Sequence, residues 1–167
     1  MTGAVNKVLD VLKNSVVEIG RIRTVDQTFV AARQDQDINL TANTPETIPF
    51  NVEAIDEIDE FDSGQFVPKD DGFYRFSIAA EFAVGADQDE LKLSVVNDDT
   101  DTSLVESEQR TAGGNNRDRR MNAVVELDAG TPYVVQAENS DNADTINGKP
   151  KRTRLTIEQA LGGYTGQ

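Results

Sequence analysis

The sequence predicts an all-β, antiparallel jelly-roll β-sandwich preceded by a short N-terminal α-helix. Three observations predict it. A heptad pattern occupies residues 1–20 and then stops. Beyond Gly20 the apolar residues fall in short runs, many of period two, with no further helical period. Clusters of Gly, Asp, Asn and Pro separate these runs, as turns do in sandwiches and barrels.

In residues 1–20, Val5, Leu9, Leu12, Val16 and Ile19 recur at spacings of four and three, the seam of a coiled coil. Thr2 can cap the start and Gly20 can end the helix. About two heptads are too short to be stable alone in water. The segment therefore reads as a stalk or anchor that meets partner helices or a docking surface, or as a helix folded onto its own domain. Residues 21–49 read as a connector with early strands at 28–32 and 38–40 and a turn-rich stretch at 44–49. Residues 50–167 hold the remainder of the jelly roll. Strands are expected at 50–55, 65–67, 72–84, 90–96, 102–108, 120–127, 133–138 and 153–160. Alternation places Phe66, Tyr74, Phe76, Leu93, Val95, Val125 and Leu127 inside the sandwich.

Composition narrows the function. With no Cys and no His, thiol nucleophiles, imidazole bases and thiolate or imidazole zinc sites are excluded. Paired carboxylates can be drawn anywhere in so acidic a chain, and nothing singles out a general acid, so no catalytic residue is assigned. The net charge is −14 and the pI about 4.3. Nucleic acid is thereby an unsuitable partner, since phosphate binding needs a basic face. No apolar run is long enough to insert in a membrane. The acids are spread over the chain, Asp exceeds Glu and Arg exceeds Lys. That distribution favours a solvated surface adapted to high salt over ion binding at particular sites.

The segment Phe61-Asp62-Ser63-Gly64-Gln65-Phe66-Val67-Pro68, followed by Gly72-Phe73-Tyr74-Arg75-Phe76, resembles the globular head domain of complement proteins. That domain belongs to the tumour-necrosis-factor-like jelly rolls. Ile48-Pro49-Phe50-Asn51 resembles the family's opening strand, and residues 91–97 its central strand ending in Asn97. Residues 122–127 with Ala129-Gly130, then Tyr133-Val134-Val135-Gln136, and finally 153–157, resemble its later strands in order. The resemblance covers about residues 28–161. Gly130-Thr131-Pro132 departs from the family's Gly-Asp turn, and Leu155-Thr156-Ile157-Glu158-Gln159 from its closing Phe-x-Gly-x-Leu. The family's collagen stalk is replaced by the heptad segment. This combination is similar to microbial and viral members that serve as head fibres, capsid decorations and tail-fibre knobs.

The resemblance implies self-association, as a homotrimer or another symmetric oligomer. The function expected is a virion structural protein of a high-salt host, decorating a capsid or forming a head fibre or turret. Its partners would be major capsid or other virion proteins, and its place the virion surface. The alternatives are a receptor-binding tail-fibre knob or extracellular adhesin that meets a host glycan or receptor, and, further off, a carboxylate-based glycan-acting enzyme. No cofactor is expected, with one exception. Asn97, Asp99, Asp101, Ser103 and Glu108 follow the ligand spacing of a Ca²⁺ loop. Thr102 stands where such a loop needs Gly, and a solvated acidic turn explains the same residues. Arg117, Asp118, Arg119 and Arg120 form a basic cluster, open to intrachain pairing, to acids of a neighbouring subunit or to anionic glycans.

If the acidity is a salt adaptation, the melting temperature rises steeply from dilute buffer to molar KCl, as screening removes self-repulsion. A melting temperature flat over that range, measured by differential scanning calorimetry, would contradict the adaptation.

Overall fold

The computed structural model describes residues 28–83, 90–110, 117–139, 144–148 and 152–161. The heptad residues Val5, Leu9, Leu12, Val16 and Ile19 lie outside them. Among the described residues the structure is all-β, with antiparallel pairing throughout.

The long strands are β1 (Phe29–Arg33), β4 (Val52–Asp56), β7 (Gly72–Ala83), β8 (Glu90–Asn97), β9 (Thr102–Arg110), β10 (Arg117–Leu127), β11 (Tyr133–Asn139) and β13 (Arg154–Leu161). Five short ones are β2 (Ile38–Asn39), β3 (Glu46–Thr47), β5 (Phe61–Asp62), β6 (Gln65–Phe66) and β12 (Thr145–Ile146). One sheet runs β2-β12-β7-β13-β1-β4, with β10 paired along the other flank of β7. The second runs β5-β6-β11-β8-β9, with β3 added to β11.

The core sits between the sheets. Alternation along β7 turns Tyr74, Phe76, Ile78, Ala80 and Phe82 inward, all at most 3% exposed. Leu91, Leu93 and Val95 of β8, Val125 and Leu127 of β10, and Leu155 and Ile157 of β13 complete the same cluster. Phe66 packs edge-on against both Tyr74 and Phe76, with ring centroids 5.5 and 6.1 Å apart.

Several boundaries differ from the sequence reading, each for a local reason. The strands β3, β5 and β12 are two residues each, too short to carry any period. The stretch expected to alternate from Phe50 begins instead at Val52, because Phe50 has φ 39° and breaks the extended run. Phe50 is buried, whereas Ile55 at the same sheet's edge is exposed. Gly72 opens β7 opposite Leu127, at the start expected from the sequence. The turn before it is made by Gly64, at φ 89°, where a Cβ would lie 2.6 Å from the Pro49 main chain. Thr153, read as the first residue of the closing strand, is buried just before β13 and donates its hydroxyl to Asn147 O.

Two buried carboxylates pin the ends of the sandwich. Glu60 accepts from Thr28 Oγ1 at 2.6 Å and from Lys69 N at 2.7 Å, closing the excursion that carries β5 and β6. Tyr74 reaches the same end and donates to Asp70 O at 2.7 Å. Burial, then the Glu60 charge, push the Tyr74 phenol above its ordinary value. At the opposite end Glu81 accepts from Asn147 Nδ2 at 2.7 Å and pairs with Arg152.

Phe76 is 1% exposed and meets both sheets, so truncating it leaves a void that its neighbours cannot fill. Phe76→Ala is expected to cost about 3–5 kcal/mol in urea unfolding. A loss below about 1 kcal/mol would place that side chain on the solvent face instead.

Candidate functional site

The register of the β7 sheet arranges its outer face in rows. Arg33 of β1, Arg154 of β13, Ala79 of β7 and Arg120 of β10 lie in one row. The next holds Ala31, Thr156, Ser77 and Asn122, with Ile55 of β4 beyond Ala31. A third holds Phe29, Glu158, Arg75 and Val124, and Phe73 follows at the end of β7. The face therefore grades from arginines, through small side chains, to exposed apolar ones.

At the apolar end Ile55, Phe73 and Val124 are 44, 41 and 52% exposed. Arg75 is occupied there by Glu158, Nη1 to Oε1 at 2.7 Å. At the basic end a recess of about 220 Å³ is lined by Ala79, Glu81, Asp118, Arg120, Arg152 and Arg154. The buried Glu81 holds Arg152 at its rim. Arg33, Arg120 and Arg154 are exposed and make no ion pair with any described residue.

The second sheet turns an acidic face outward. Lys92 of β8 lies between Glu138 of β11 and Glu108 of β9, with Glu106 next along β9. A hydrogen bond to Glu90 holds the Glu108 carboxyl above its ordinary value, with the charge of Glu90 acting in the same direction. A raised carboxyl favours the fold while protonated, so this pair loses its contribution as pH rises through the Glu108 value. A second recess, of about 250 Å³, lies beside the strained Phe50 and is lined by Pro49, Phe50, Asn51, Glu53, Phe61, Asp62 and Ser63.

The Ca²⁺-spaced residues do not converge. Asn97, Asp99, Asp101 and Ser103 lie at the β8–β9 turn, but Glu108 lies up the hairpin opposite Lys92. Asn97 Oδ1 is used within the turn, accepting the N–H of Asp99 at 3.0 Å and of Thr100 at 3.2 Å. Among the described residues no three acidic side chains are placed to hold a metal. The basic cluster is divided by strand alternation. Asp118 and Arg120 face outward, while Arg119 turns to the other side and donates from Nη2 to Ser107 Oγ at 2.7 Å. Burial holds the Arg119 guanidinium below its ordinary value.

The arginine row was missed in the sequence because its members stand at positions 33, 120 and 154. Only the strand order brings them side by side. A partial signal exists locally, since Arg33, Arg120 and Arg154 each sit in a strand within an acidic chain.

No family model and no curated protein matches the chain. Solved structures do. Eiger TNF from S. frugiperda is 12% identical, with a TM-score of 0.59 over 85% of this chain and 98% of its own. The globular domain of zebrafish complement 1qA protein is 15% identical, with a TM-score of 0.56 over 81% of this chain and 98% of its own. Murine APRIL at pH 5.0 is 12% identical, with a TM-score of 0.60 over 80% of this chain and 98% of its own. At such identities the likeness is one of fold, and the fold it establishes for this chain is the jelly roll of tumour-necrosis-factor-like and complement globular-head domains.

Proposed function

We propose that this protein is a non-catalytic homotrimeric module, displayed on a virion of a high-salt host as a capsid decoration, head fibre or turret. The observation that carries the assembly is the outer face of the β7 sheet. It holds three of the four large apolar side chains exposed among the described residues: Ile55, Phe73 and Val124. Ala31, Thr156 and Ser77 make up the row between Phe73 and Val124 on one side and the arginine row on the other, so another sheet or strand edge could approach closely. An apolar face of this kind on a soluble domain marks an association surface. A threefold arrangement follows the fold's kinship, and a closed ring would cover the face on every copy.

Display on a particle rests on the sequence. The heptad at Val5, Leu9, Leu12, Val16 and Ile19 is suited to anchoring and too short to hold an oligomer by itself. The dispersed acids give the exposed surface solubility in concentrated salt.

Phe73→Glu combined with Val124→Glu is expected to convert a trimer to a folded monomer at micromolar concentration, read by light scattering. Deleting residues 1–20 is expected to leave a soluble trimer that no longer attaches to particles. A wild-type protein that is monomeric at all concentrations overturns the assembly. A truncated protein that still decorates particles overturns the anchor. Loss of host attachment on changing the β8–β9 turn, with particle stability untouched, would favour a receptor-binding knob instead.

A further inference from the structure

Three guanidinia that make no ion pair with any described residue lie in one row on a strongly acidic protein. Arg33 and Arg154 are direct cross-strand partners, an arrangement that repels. Arg154 and Arg120 flank Ala79 from opposite sides. Their main chains are two strand spacings apart, about 10 Å. Between them only a methyl group rises from the sheet, which leaves the recess of about 220 Å³. Arg152 stands at the rim, fixed by Glu81, itself 3% exposed and held from behind by Asn147.

We propose that this recess binds an oxyanion, a sulfate or phosphate group, clamped by Arg120 and Arg154 with Arg33 supplying further positive charge. Guanidinium forks match such groups, presenting paired N–H donors to two oxygens at once. Four guanidinia, Arg33, Arg120, Arg152 and Arg154, face two carboxylates, Glu81 and Asp118. The local balance is positive in a chain whose net charge is −14. Glu81 is already neutralised by Arg152, so Asp118 is the one acid facing the anion without an ion pair among the described residues. Its place at the recess edge lets it accept a hydroxyl from a protonated phosphate or from a sugar that carries the sulfate. An ion in the row also relieves the Arg33–Arg154 repulsion, so binding and stability are linked.

The site is built from residues of one chain and shares a sheet face with the proposed trimer contact. The test uses the full chain and its Phe73→Glu/Val124→Glu variant, titrated calorimetrically with sodium sulfate against sodium chloride at equal ionic strength. Saturable sulfate binding, one site per chain, is expected in both proteins. Binding in the wild type alone would mean that the site requires assembly, and would overturn the single-chain site while leaving the trimer intact. Arg120→Ala and Arg154→Ala are each expected to weaken sulfate about tenfold, and Arg154→Lys to recover only part, since the charge returns without the fork. Equal affinity in wild type and both Ala variants overturns the site. Sulfate also stabilises proteins by exclusion from their surface, so a melting shift counts only where it exceeds that of Arg120→Ala/Arg154→Ala. A shift identical in the two proteins overturns the proposal. A sulfated disaccharide binding more tightly than sulfate identifies a polymer-borne group, and one binding no better identifies the free ion.

Discussion

The inward row of β7 is the contact on which the rest of the structure depends. Tyr74, Phe76, Ile78, Ala80 and Phe82 form a continuous apolar strip, and the same strand pairs with β10, β12 and β13. Because side chains alternate, the strip that fills the core fixes the identity of every residue on the opposite face. A slip of one residue would turn Phe73, Arg75 and Ser77 into the core and expose the aromatics. The outer rows of arginines, small residues and apolar residues are therefore consequences of core packing, inherited through the register.

That inheritance gives the sandwich two unlike surfaces. The β7 sheet carries Arg33, Arg120 and Arg154, while the other sheet carries Glu106, Glu108 and Glu138 around a single Lys92. The net charge hides this division, because the acidic majority masks a basic row of three. Electrostatic steering by such a molecule is directional, and salt weakens it at exposed sites far more than at a recess where guanidinia crowd a bound ion. The buried acids, Glu60 and Glu81, belong to neither surface. Each is satisfied by specific donors and ties a loop to the body.

Fold class was legible because it rests on period and punctuation. The run from Phe73 to Ala80 alternates without a break, and a strand that long reveals its buried face without any neighbour. Phe66, Tyr74, Phe76, Leu93, Val95, Val125 and Leu127 are all buried, at 8% exposure or less. Phe50 shows the limit. It is equally apolar, but its φ of 39° arises from the path of the chain around Gly64 and Pro49, which no local pattern encodes. The candidate sites divide in the same way. The Asp-rich turn after Asn97 could be seen in the sequence, yet its hydrogen bonds go to its own backbone. The arginine row could not be seen, since it is a product of strand order, with Arg33 and Arg154 adjacent in space and far apart along the chain.

The same strand order has a bearing on biosynthesis. β13, the last strand in sequence order among the described residues, lies between β1 and β7 in the middle of its sheet. On the ribosome, β1 and β4 must wait as an unattached hairpin-like pair while β7 presents one bare flank and half-filled aromatic row. The domain cannot close until residue 161 has cleared the exit tunnel, and a chain stopped before Arg154 keeps two open strand edges of the kind that pair with other chains. Abundant carboxylates along the waiting polypeptide keep such nascent chains apart. Acidity in this protein thus guards the unfinished molecule as well as the finished one.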